Sequence, residues 1–77
     1  MKENDELTNE ICKVLAKALH VDEVPKEAKF GDLPQWDSMG HMDVMMLLEE
    51  KFEVEINADT ISNLLSIQLI REHIEGM

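Results

Sequence analysis

The sequence contains one cysteine, Cys12, in 77 residues, so no internal disulfide can staple it. No Cys/Cys or Cys/His cluster has zinc-site spacing, and His20, His41 and His73 lie far apart in the chain. Glycine and proline are scarce, at three and two residues, as are aromatics: two Phe, one Trp and no Tyr. The β-branched residues come singly rather than in alternating runs, which argues against a sheet. Basic residues are outnumbered, with seven Lys and Arg against seventeen Asp and Glu, for a net charge of −10. A nucleic-acid partner is therefore excluded, because a phosphate backbone is bound by neutralising it with cations. An anionic membrane surface is excluded on the same ground. No apolar run approaches the length of a bilayer span. The N-terminus, MKENDELTNE, is acidic and lacks an apolar stretch, so neither a signal peptide nor an Arg-rich transit peptide is expected, and the cytoplasm is the expected compartment.

What is present favours helices. Met, Leu, Ile, Glu and Lys are plentiful, and 44% of the residues are hydrophobic, too many for a disordered chain. The length suits one small domain, 1–77, of marginal stability, expected as a monomer. Between Phe30 and Ile70 eight acids face one base, Lys51. Partners with basic patches fit that field.

Four helices and one long loop are predicted, an all-α four-helix bundle with a short third helix. The first runs from about Asn4 to Leu19, with Leu7, Ile11, Val14, Leu15, Ala18 and Leu19 on one apolar face. Cys12 lies beside that face as a packed thiol. Pro25, Gly31 and Pro34 break the helix over 20–37. Phe30, Leu33 and Trp36 are the candidate pins of that loop. The second helix covers about Ser38 to Phe52, and a short extended link follows at Glu53–Ile56. The third covers Ala58 to Asn63, with Asn57 as cap, and the fourth about Ser66 to Glu75, with Gly76 just past it. Met77 and the ionic ends read as frayed termini.

The second helix has two apolar stripes. With Ser38 at zero and about 100° per residue, Val44, Leu48, Phe52 and Met45 fall between roughly 240° and 340°, a core stripe. Met42, Met46 and Met39 fall at roughly 40°, 80° and 100°, and Glu49, Glu50 and Asp43 bracket them at roughly 20°, 120° and 140°. Such a strip is either an adaptable docking surface, with methionines that fit several partners and carboxylates that steer them, or a second buried side covered by another helix.

Ser38 stands where loop becomes helix. A serine there is commonly only an N-cap. If Asp37 caps the helix instead, the hydroxyl is free for modification, and a phosphodiester on it would meet the positive end of the helix. Asp37 could also help hold a divalent ion during such a transfer. His41, one turn on, suggests nucleophilic catalysis only with an orienting acid and an oxyanion hole, for which nothing in the sequence speaks. A solvated or loop-packing histidine is expected, and no catalytic residue.

The stretch Asp37-Ser38-Met39-Gly40-His41-Met42-Asp43-Val44-Met45-Met46-Leu47-Leu48-Glu49-Glu50-Lys51-Phe52-Glu53-Val54-Glu55-Ile56 resembles the signature of the acyl carrier protein family. There Asp-Ser-Leu precedes an apolar helix, followed by Leu-Glu-Glu-x-Phe and a link ending in Ile. Phe30 matches an aromatic eight residues before the modified serine, and Ile67-Gln68 resembles the start of the last helix. The resemblance covers nearly the whole chain. It implies a four-helix bundle with a long first loop. It implies a 4′-phosphopantetheine arm placed on Ser38 by a phosphopantetheinyl transferase, from coenzyme A and with magnesium. The arm would hold acyl or aminoacyl cargo as a thioester, for loading and transfer enzymes with basic docking patches. It makes Asp37, Met39, Met42, Asp43, Met46, Glu49 and Glu50 the partner-binding face. Three departures from the signature are Met39 for Leu, Gly40-His41 for an acid and Thr, and Trp36 for a small residue. Together they imply a specialised carrier rather than the primary one of fatty-acid synthesis. The alternative from a different class is an unmodified acidic interaction module in which Ser38 only caps the helix.

Overall fold

The computed structural model describes residues 2–76, with side-chain surroundings for residues 6–76; Met77 lies outside the described residues. Four helices follow in order: α1 Lys2–Leu19, α2 Ser38–Phe52, α3 Ala58–Asn63 and α4 Ile67–Glu75. No strand occurs among the described residues, and the only β pairing among them is an isolated bridge between Lys29 and Ser66. The architecture is the expected all-α bundle with a long first loop and a short third helix.

The apolar face of α1 supplies Ile11, Val14, Leu15, Ala18 and Leu19 to the core. From α2 come Val44, Met45 and Leu48, all fully buried, with Phe52 packed at the edge. Ile67 and Ile70 of α4 complete the contact with α1, while α3 packs on α2. Cys12 is half-buried against this core, and the burial pushes its thiol above the usual range, offset in part by Lys26. Less thiolate means slower attack on electrophiles. Alkylation of Cys12 in the folded chain is therefore expected to lag behind that of the same residue after denaturation, as followed by iodoacetamide labelling and mass.

Local residues close the C-terminal end of α1 and both ends of the helices that follow it. α1 stops where His20 turns left-handed (φ 59°), with Val21 N–H bonding back to the Ala16 carbonyl and His20 N–H to that of Lys17. Asn57 and Thr60 form a reciprocal capping box on α3, and Ser66 caps α4 through Leu69 N–H. Gly76 follows α4 in right-handed rather than left-handed geometry.

The loop 20–37 is held differently from the sequence expectation. Trp36 is a pin, fully buried, and Leu33 is partly so, but Phe30 is 39% exposed. Phe30 anchors the loop with its backbone instead: its N–H donates to the Leu65 carbonyl at 2.7 Å, while Ile67 N–H donates to Ala28 at 3.1 Å. Val24 and Ala28 add two buried side chains from the loop. The bridge fixes the loop against the start of α4.

Candidate functional site

Asp37 sets the start of α2. Its backbone is extended, and its carboxylate accepts from Gly40 N–H at 2.9 Å. Asp37 is therefore the N-cap, and Ser38 is the first helical residue, spared the capping role and exposed to solvent. Beyond the Asp37 cap no acidic side chain lies in the first turn of α2, and the N–H groups that the cap leaves free lie at the helix start beside the Ser38 hydroxyl. Asp37→Ala should cost about 1 kcal/mol, since it deletes this cap. Chemical denaturation followed by far-UV circular dichroism checks it.

Gly40, one turn in, is where helix and loop touch. A β-carbon there would run into the Gln35 carbonyl oxygen and the Leu19 side chain. Only glycine lets α2 start this close to the loop and to the end of α1.

His41 corrects an expectation. It is not solvated: it is 4% exposed and is held at both ring nitrogens. Trp36 Nε1–H donates to His41 Nδ1 at 3.0 Å, and His41 Nε2 lies 2.8 Å from the Ile61 carbonyl oxygen. An indole N–H only donates and a carbonyl only accepts, so the partners assign a neutral imidazole with its proton on Nε2. Packing against the loop, the other half of the expectation, is seen in the contacts with Trp36 and with Phe30, whose ring meets the imidazole edge-on at a centroid distance of 5.5 Å. The signal was present in the sequence. On the same helical wheel His41 falls at roughly 300°, in the middle of the core stripe.

The second apolar stripe of α2 is uncovered. Met39, Met42 and Met46 are 81%, 44% and 58% exposed. Asp37, Asp43, Glu49 and Glu50 are exposed as well. No helix among the described residues packs over the strip, which removes the reading of a second buried side. The surroundings differ along the strip, however. Ser38 and Met42 line an open cleft of about 440 Å³ on the α3 side, with Phe30, His41, Ile61 and Leu65. Asp43 and Met46 border a groove on the α1 side with Lys17 and His20. Glu50 borders another with Lys13, Lys17 and Lys51. Glu49 lines none of the three grooves. The exposed ridge of α2 thus has an apolar flank and a flank where α1 lysines dilute the carboxylate field.

Among the described residues no three His, Cys, Asp or Glu side chains are grouped to hold a metal ion. No helix among them is long and apolar enough to cross a membrane.

The chain is similar to two curated proteins named acyl carrier protein. That of Campylobacter fetus subsp. fetus (strain 82-40) is 35% identical over 71 residues, covering 90% of this chain and 92% of the relative. That of Campylobacter lari (strain RM2100 / D67 / ATCC BAA-1060) is 34% identical over 71 residues, with the same coverage. No protein-family model matches the chain, and no solved structure matches it.

Proposed function

This chain belongs to the acyl carrier protein family, and from that premise we propose that it carries acyl or aminoacyl cargo as a thioester on a 4′-phosphopantetheine arm joined to Ser38. The observation that carries the reading is the division of labour at the start of α2: Asp37 caps, which leaves Ser38 exposed and unengaged by the cap. The residues fit the group. A phosphodiester on Ser38 Oγ would lie at the N-terminal end of α2, where free N–H groups and the dipole favour an anion, with Asp37 as the one carboxylate at that end.

In the loading step Ser38 Oγ forms a bond to the phosphorus that bears the pantetheine of coenzyme A. The hydroxyl proton goes to a base of the transferase, and adenosine 3′,5′-bisphosphate departs as the pyrophosphate bond breaks. Asp37 stands next to Ser38 and can contribute one oxygen to a magnesium ion held mainly by the transferase. The arm supplies a thiol for thioester chemistry, and the tether replaces free diffusion by a high local concentration of cargo. The chain's own part is to orient and present the arm; catalysis belongs to its partners. With Trp36, Met39 and Gly40-His41 as departures, it serves a dedicated pathway rather than primary fatty-acid synthesis.

Docking falls to the α2 ridge, with Met39, Met42 and Met46 as apolar contacts and Asp37, Asp43, Glu49 and Glu50 as charged ones. Their effects should be unequal. Glu49→Lys should lower kcat/KM for the transferase several-fold at low salt, through slower encounter. Glu50→Lys should do less, because Glu50 already shares its groove with Lys13, Lys17 and Lys51. Equal effects of the two, or none, would speak against docking on this ridge. The direct test of the whole reading is intact mass. With coenzyme A and a broad-specificity transferase, the chain should gain roughly 340 Da, the size of the phosphopantetheine group. No gain with any such transferase would sink it.

A further inference from the structure

The cleft beside Ser38 is lined by one buried side chain, His41, and that side chain is held by hydrogen bonds on both sides. Its floor is His41, and behind His41 lies Trp36, fully buried. Trp36 comes from the loop, His41 from α2 and Ile61 from α3, so the run from Trp36 Nε1–H to His41 and on to the Ile61 carbonyl spans three segments. No buried side-chain nitrogen or oxygen among the described residues lacks a partner. To slide between α2 and α3, an alkyl chain would have to part His41 from Ile61 or from Trp36. It would leave one ring nitrogen of the imidazole, and with it either the indole N–H or the Ile61 carbonyl, without a partner in an apolar setting. An unmade buried hydrogen bond costs the full desolvation of each group, a penalty that methylene burial must first overcome. The Phe30 ring, edge-on to both the imidazole and the indole, walls the same entrance.

We infer that Trp36, His41 and the Ile61 carbonyl form a latch that keeps cargo out of the bundle interior. The group on the arm then stays at the open cleft lined by Phe30, Met42, Ile61 and Leu65. The inference rests on the carrier reading and narrows it: the cargo class is one that needs no enfolding, short or polar acyl groups, aminoacyl groups included. His41 and Trp36 are positioning residues here; neither touches the thioester chemistry.

The test uses the sole tryptophan as its reporter. The chain is loaded by a transferase from acetyl- and from dodecanoyl-coenzyme A, loading is verified by intact mass, and solvent exchange of the single indole N–H is measured by NMR. With the latch closed, the exchange rate should agree within about twofold between the two loaded forms, since neither cargo opens the Trp36–His41 bond. A larger difference in the dodecanoyl form overturns the latch and leaves the carrier reading intact. In His41→Ala the floor is gone, and the dodecanoyl form should now differ from the acetyl form beyond that margin. A folded variant that shows no difference also overturns the latch. If His41→Ala does not fold, the wild-type comparison decides alone. Absence of any mass gain removes the carrier reading, and this inference with it.

Discussion

Ser38→Ala is expected to abolish the gain of roughly 340 Da completely while leaving stability within about 0.5 kcal/mol of wild type. The two halves of this result come from one structural fact. A serine at the mouth of a helix is ordinarily its cap, and its loss would cost about 1 kcal/mol. Here the capping hydrogen bond runs from Gly40 N–H to Asp37, so Ser38 contributes no cap to lose. The pair Ser38→Ala and Asp37→Ala therefore separates chemistry from architecture. The first should lose the modification and keep the stability. The second should lose stability, and should lose modification only as far as Asp37 assists the transferase. Intact mass and denaturant midpoints measure both. A Ser38→Ala chain that still gains mass would place the arm elsewhere. A Ser38→Ala chain that keeps full biological function would favour the unmodified interaction module.

The second large effect is one of stability and runs against propensity. In an open helix Gly→Ala gains about 1 kcal/mol. Gly40→Ala should instead destabilise by about 1–3 kcal/mol or more, as overpacking does. The added β-carbon meets the Gln35 backbone oxygen, which cannot swing away as the end of a long side chain could, and the buried Leu19 beyond it. A chain of this length has of order 4–12 kcal/mol of total stability, so the loss is a large share. It should lower Tm by roughly 4–8 °C for each kcal/mol lost. The displaced backbone is the one that carries Asp37 and Ser38, so loading by the transferase should slow as well. A stabilised Gly40→Ala would mean that the loop yields to α2 rather than defining its start.

Gly40 and His41 also show how a departure from a family pattern acquires a physical cause. In the sequence both positions read as a loss of acidity at the start of the helix. In the structure they are packing devices. Gly40 admits the loop, and His41 joins the loop, through Trp36, to α3. The departures at Trp36 and at Gly40-His41 are one arrangement, since Trp36 needs an acceptor for its N–H and room for the loop that carries it; Met39, the other departure, is exposed and takes no part in it.

Helical periodicity carried most of the fold. The α1 face and the core stripe of α2 are buried as the spacing required, and the caps at Asn57 and Ser66 stand where capping residues precede apolar runs. These are local properties, fixed within a few turns by dihedral preference and hydrogen-bond supply, and the chain states them residue by residue. The exposed methionines on α2 were legible only as one of two readings, because a stripe on a helix does not say what faces it. That needed the positions of the other helices. The same holds for the loop. Its tie to α4 runs through backbone groups of Ala28, Phe30, Leu65 and Ile67, which every sequence possesses and no side chain announces. The freedom of Ser38 from capping and the choice of Trp36 and Ile61 as partners of His41 were likewise settled in three dimensions. Each depends on which of several chemically able partners arrives within 3 Å or so, and hydrogen bonds are decided at that range.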